Sequence, residues 1–130
     1  MGHRSLAFIL IFVGGGFGSM LRHGVNLASA ALFGVNFPYG TMIVNITGSF
    51  AMGVIAGWFA LRGQGGQMMS LFLTTGILGG FTTFSAFSLD AALLWERNQT
   101  GGAILYVLAS VVAAIIGVFA GLAAMRALLA

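Results

Sequence analysis

The run Thr74-Thr75-Gly76-Ile77-Leu78-Gly79-Gly80-Phe81-Thr82-Thr83-Phe84-Ser85-Ala86-Phe87-Ser88 lies inside a long apolar stretch of the chain. The stretch suits a membrane helix, but this part of it makes a poor helix centre. Glycine costs about 1 kcal/mol relative to alanine in a helix interior. Threonine hydroxyls bond the preceding turn and bend it. An interruption here releases backbone carbonyls at membrane depth, where protein, water or an ion must satisfy them. In broken membrane helices such carbonyls commonly hold a cation. Beyond the interruption, Phe84 and Phe87 share one helical face, and Ser85 and Ser88 share the adjacent one. A pair of phenylalanines alone means core or lipid contact. A ring face beside a hydroxyl face, directly after a break, is less ordinary.

The rest of the chain sets this run in a membrane. Of 130 residues 59% are hydrophobic and 5% charged, and the mean hydropathy is +1.06. A soluble domain carries about a quarter charged residues, so too little polar surface exists here to face water. Disorder requires the opposite composition. Four apolar stretches, residues 6–33, 39–61, 69–95 and 103–129, each reach the roughly 20 residues that cross a bilayer. The connections at 34–38, 62–68 and 96–102 are short. The expected architecture is an all-α membrane protein, one domain over residues 1–130, with four transmembrane helices and the third broken mid-membrane. The first stretch is too long for a cleavable signal peptide.

Several classes of function fall away. The chain has no cysteine, hence no disulfide or thiolate chemistry. His3 and His23 lie apart, and no acid–base pair or ligand cluster stands out, so an enzyme is not expected. The five basic residues, Arg4, Arg22, Arg62, Arg97 and Arg126, are scattered. Nucleic-acid binding needs a basic face or stripe. With four spans, Arg4, Arg62 and Arg126 share one side of the membrane, against Arg97 and Arg22. So small a bias gives little preferred orientation, and such a chain can insert both ways and pair antiparallel.

Polar residues inside the spans supply the remaining clues, because they are costly there. Thr41, Asn45 and Ser49 recur every fourth residue on one face of the second helix. They serve either as interhelical hydrogen-bond glue or as donors lining a pathway. Gly14, Gly18 and Arg22 share a face of the first helix, where the glycines permit close packing. Arg22 either snorkels to the headgroups or sets a positive potential at a pore mouth. Tyr106 and Ser110 stand one turn apart on a fourth helix otherwise striped with small residues.

Together these motifs resemble the Fluc (CrcB-type) fluoride channels. Residues Gly79 to Ser88 are similar to the G-G-x-T-T-F-S-x-F-S signature of that family. Gly40-Thr41-Met42-Ile43-Val44-Asn45-Ile46-Thr47-Gly48 resembles its G-T-x-x-V-N-x-x-G motif, and Gly18-Ser19-Met20-Leu21-Arg22 its G-x-x-x-R. The resemblance covers nearly the whole chain and departs at Ala86, where the family often has threonine. It implies an antiparallel, dual-topology homodimer in the bacterial cell membrane, with two fluoride pores and a structural sodium ion at the two-fold axis. By position, Phe84 and Phe87 become the pore phenylalanines and Asn45 a donor beside them. Ser110 and Tyr106 take the fourth-helix pore positions, and Thr41, Ser85 and Ser88 form a hydroxyl track. Arg22 faces a vestibule, while Gly79 and Thr82 offer backbone carbonyls to sodium. Two other readings remain open: a small multidrug exporter, or a packing subunit of a larger membrane complex. The exporter needs a carboxylate within the membrane, usually in the first helix. The only acids are Asp90 and Glu96, late in the third stretch and just after it.

Overall fold

The computed structural model describes residues 2–63 and 66–130, and every regular element among them is helical. Helix α1 spans His3–Phe33 and α2 spans Tyr39–Arg62. The third span is composite: α3 (Gln67–Leu71), a π-helical segment (Phe72–Leu78), α4 (Gly79–Phe81) and α5 (Phe84–Glu96). Helix α6 spans Thr100–Leu129. Four segments, His3–Phe33, Tyr39–Arg62, Gln67–Glu96 and Thr100–Leu129, are long and apolar enough to cross a membrane. Pro38 immediately precedes α2, where its fixed φ suits a helix start. Gly63 closes α2 in the left-handed conformation, its N–H bonding Phe59 O, a regular helix stop. Of the connection expected at 62–68, Gln64 and Gly65 lie outside the described residues.

The outer surface is apolar. Phe8, Phe12 and Met20 of α1 are largely exposed, as are Ile116 and Phe119 of α6. Hydrocarbon rather than water suits such a face. The interior is small: Val44, Leu94 and Tyr106 are fully buried, and Phe87 and Ala103 join Leu94 and Tyr106 in one cluster. Helices meet through their glycines. A side chain at Gly121 of α6 would strike Phe50 O of α2, and one at Gly18 of α1 would strike Ile77 O of the π-helical segment. Gly80 in turn lies against Gly15 O. Backbones this close gain dispersion contacts that lipid tails cannot replace.

Glycine pairing also explains how the third span runs. Helical geometry continues through Gly79 and Gly80, with φ −61° and ψ −37° at Gly79. The residues that leave the helix are the two threonines. Thr82 has φ −87° and ψ 159°, and Thr83 has φ −154° and ψ 124°. Gly80 serves packing against α1, and the departure from the helix falls just after Phe81. The wide turns of Phe72–Leu78 have no counterpart in the sequence expectation.

Gly18→Ala is expected to lower the thermal midpoint in detergent, because its methyl group meets backbone that cannot yield. Gly16 has nothing within 4 Å of an added Cβ, so Gly16→Ala gains up to about 1 kcal/mol of helix propensity and holds or raises the midpoint. Equal midpoints for the two variants would contradict the packing described.

Candidate functional site

The extended pair is held from α2. Asn45 Nδ2 donates to Thr83 O at 2.9 Å, and Thr83 N donates to Asn45 Oδ1 at 2.8 Å. One amide side chain thus satisfies both polar groups of a residue that has left the helix. Thr83 then starts α5 as its N-cap, with Oγ1 accepting from Ala86 N at 3.1 Å. Such a cap contributes about 1 kcal/mol. Thr82 Oγ1 turns back to Leu78 O at 2.8 Å.

Carbonyl oxygens are released upstream. In a continuous helix Thr83 N would bond Gly79 O, and Ala86 N would bond Thr82 O. Both N–H groups bond side chains instead. Gly80 O finds a partner on α1: Arg22 Nε donates to it at 3.1 Å, with Ser19 Oγ at 3.5 Å. Half-buried Arg22 therefore leans on the third span. The sodium ion implied by the family resemblance fits this donor set. Gly79 and Thr82 offer neutral oxygens freed from the helical ladder, and hard oxygen donors suit a hard cation.

Several of the expected residues meet around one aromatic layer. Asn45, Ser49, Thr83, Phe84, Phe87 and Ser110 line a cavity of about 240 Å³. Phe87 is buried and Phe84 is 77% exposed, their ring centroids 5.6 Å apart. Tyr106 packs on Phe87 with ring centroids 5.2 Å apart and planes tilted by 39°, and it meets Phe37 edge-on at 5.5 Å. Its hydroxyl donates to Asp90 Oδ2 at 3.1 Å. Buried Ser110 Oγ has no hydrogen-bond partner among the described residues. An orphaned buried hydroxyl is rare and calls for an explanation. Asn45 also keeps one amide N–H beyond the bond to Thr83 O.

The residues of the expected hydroxyl track differ in their surroundings. Thr41 is buried in a second cavity of about 300 Å³, with Asn26, Ser29, Ala86 and Asp90. Ala86 lines this cavity, while its neighbour Phe87, packed on Tyr106, lines the first. Ser85 and Ser88 are exposed, and Ser88 Oγ bonds Phe84 O of its own helix. Sequence reasoning did not foresee the work of Thr83 or the Asp90–Tyr106 bond. A threonine three residues before Ala86 is a readable N-cap signal. The Asp90–Tyr106 bond joins residues 16 apart on two helices, which no local spacing encodes.

A four-span helical membrane protein with uncharged donors gathered beside aromatic rings is the class that this geometry defines. The family model described as "CrcB-like protein, Camphor Resistance (CrcB)" matches residues 9–122. The chain belongs to the CrcB family. It is 57% identical over 123 residues to a fluoride-specific ion channel, FluC, of Rhodopseudomonas palustris (strain BisB5), covering 95% of this chain and 99% of the relative. It is 63% identical over 118 residues to FluC of Methylobacterium nodulans, covering 91% and 94%. With FluC 2 of Nitrobacter hamburgensis the identity is 56% over 119 residues, covering 92% and 96%.

Ser110→Ala should leave the thermal midpoint unchanged or slightly raised, because it removes a hydroxyl that lacks a partner. Asn45→Leu should cost about 2 kcal/mol or more, because it orphans both polar groups of Thr83. Thermal unfolding in detergent reads both, and the reverse order would contradict the hydrogen bonding described.

Proposed function

We infer that this protein is a fluoride-selective channel that lets fluoride leave the bacterial cell passively and so limits its toxicity. The single observation that carries the reading is the unpartnered, buried hydroxyl of Ser110, a residue that lines the same cavity as Asn45, Phe84 and Phe87. Support also comes from relatives of matching length that are named fluoride-specific ion channels.

Fluoride is small, strongly hydrated and a strong hydrogen-bond acceptor. A pore must replace its water yet release it again. The Ser110 hydroxyl and the spare Asn45 N–H are donors without net charge, so they substitute for water without holding the ion as an arginine would. Aromatic edges are weakly positive because the ring quadrupole is negative on its face. Phe84 and Phe87 line the cavity, so their ring edges would be the part that serves the anion, and Tyr106 and Thr41 continue the route beyond Phe87. Larger halides are excluded mainly by width.

The active form is an antiparallel homodimer. Its support is the near-even split of arginines between the two membrane sides and the exposure of Phe84, Ser85 and Ser88 in a single chain. A second copy completes the surroundings of these residues. The break at Thr82 and Thr83 lies at mid-membrane in this arrangement. Gly79 and Thr82 carbonyls would hold a sodium ion there, and such an ion supplies a fixed positive charge that favours an anion nearby. Arg22 steadies this region through Gly80 O and contributes positive potential toward the vestibule.

Liposomes containing only this protein are expected to release fluoride, read by a fluoride-selective electrode, without any proton gradient. Asn45→Asp, which loses the amide donors and adds a carboxylate, should suppress release by at least about ten-fold, the effect of roughly 1.4 kcal/mol on a barrier. Phe84→Ile should reduce it while conserving bulk. Silent wild-type liposomes would favour a packing subunit, and release that requires a proton gradient would favour an exporter.

A further inference from the structure

Asp90 poses a problem for an anion route. Its carboxylate lines the cavity that holds Thr41. It also lines an adjoining cavity of about 230 Å³, formed with Val35, Pro38, Leu93 and Arg97. The two cavities share Val35, Pro38 and Asp90. A chain of spaces therefore leads from Thr41 past Asp90 to Arg97, the residue that closes α5. A carboxylate on this route repels fluoride unless its charge is offset. The Tyr106 hydroxyl bonds Asp90 Oδ2 but brings no charge. Arg97 brings one. Its Nε is tethered to Leu93 O at 3.3 Å on its own helix. That holds the side chain over the cavity and leaves the other guanidinium N–H groups for an anion.

We propose that Arg97 is the anion-recruiting residue of this mouth, offsetting Asp90 and drawing fluoride into the space ahead of Thr41. The proposal rests on the fluoride-channel reading and adds a residue that the signature motifs do not include. Recruitment by a fixed charge has a signature that packing lacks: it fades as salt screens the charge. The Debye length is about 30 Å at 0.01 M ionic strength and about 8 Å at 0.15 M. Arg97 is exposed, so its replacement leaves the helix packing intact.

The test is the unitary fluoride current of the full-length protein in planar bilayers, at about 10 mM ionic strength and again with about 300 mM of an impermeant salt. Arg97→Gln should lower the current about three-fold or more at low ionic strength, a modest case of lost electrostatic steering. The deficit should close at high ionic strength. Arg97→Lys should behave as wild type, and Asp90→Asn combined with Arg97→Gln should recover most of the low-salt current. Arg4→Gln, at the start of α1, should change nothing. An unchanged current in Arg97→Gln, or a loss of the same size at both ionic strengths, would overturn the proposal. A wild-type protein with no fluoride current would overturn the channel reading itself, and this proposal with it.

Discussion

Two hydrogen bonds between the Asn45 side-chain amide and the Thr83 peptide hold the third span out of helical register. In a hydrocarbon setting an extended residue is unaffordable unless its N–H and C=O are met by protein. An amide meets both at once, since it carries an acceptor and donors on adjacent atoms. Asparagine at this depth therefore answers a backbone need, and its leftover N–H becomes available to a ligand. Packing and polar chemistry are joined in one side chain.

Everything downstream follows from that departure. Because Thr83 is extended, its hydroxyl can cap α5, and α5 begins where Phe84 and Phe87 fall beside Asn45. Because Thr83 N and Ala86 N are bonded elsewhere, the oxygens of Gly79 and Thr82 are free of the helical ladder. The freed Gly80 carbonyl takes Arg22 as a partner. A cationic side chain in a span thus has a structural employment on the first helix, and close glycine packing between α1 and the third span makes the reach short.

The four spans were legible because hydropathy over 20 residues is a strong signal, and the observed helices extend the expected ones by only a few residues at either end. The disturbance in the third span was legible from its glycines and threonines, but its internal order was not. Glycine in a membrane helix serves packing as often as flexibility, and here Gly80 serves packing against Gly15. The wide π-helical turns of Phe72–Leu78 lie against Gly14 and Gly18 of α1, and no residue in that segment announces them. At the site, the face shared by Thr41, Asn45 and Ser49 was readable from spacing. Its division between two cavities was not, because it depends on residues from other helices that line them, such as Ser110 in one and Asn26 in the other. The resemblance placed Arg22 toward a vestibule, whereas its bond to Gly80 O arises only when α1 and the third span meet.

The central claim concerns the backbone of two threonines, and solid-state NMR of the isotopically labelled protein in bilayers reads it directly. Carbon chemical shifts of Thr82 and Thr83 should be strand-like, between helical shifts at Phe81 and from Phe84 onward. Helical shifts running unbroken from Phe81 through Phe84 would contradict the account at its root.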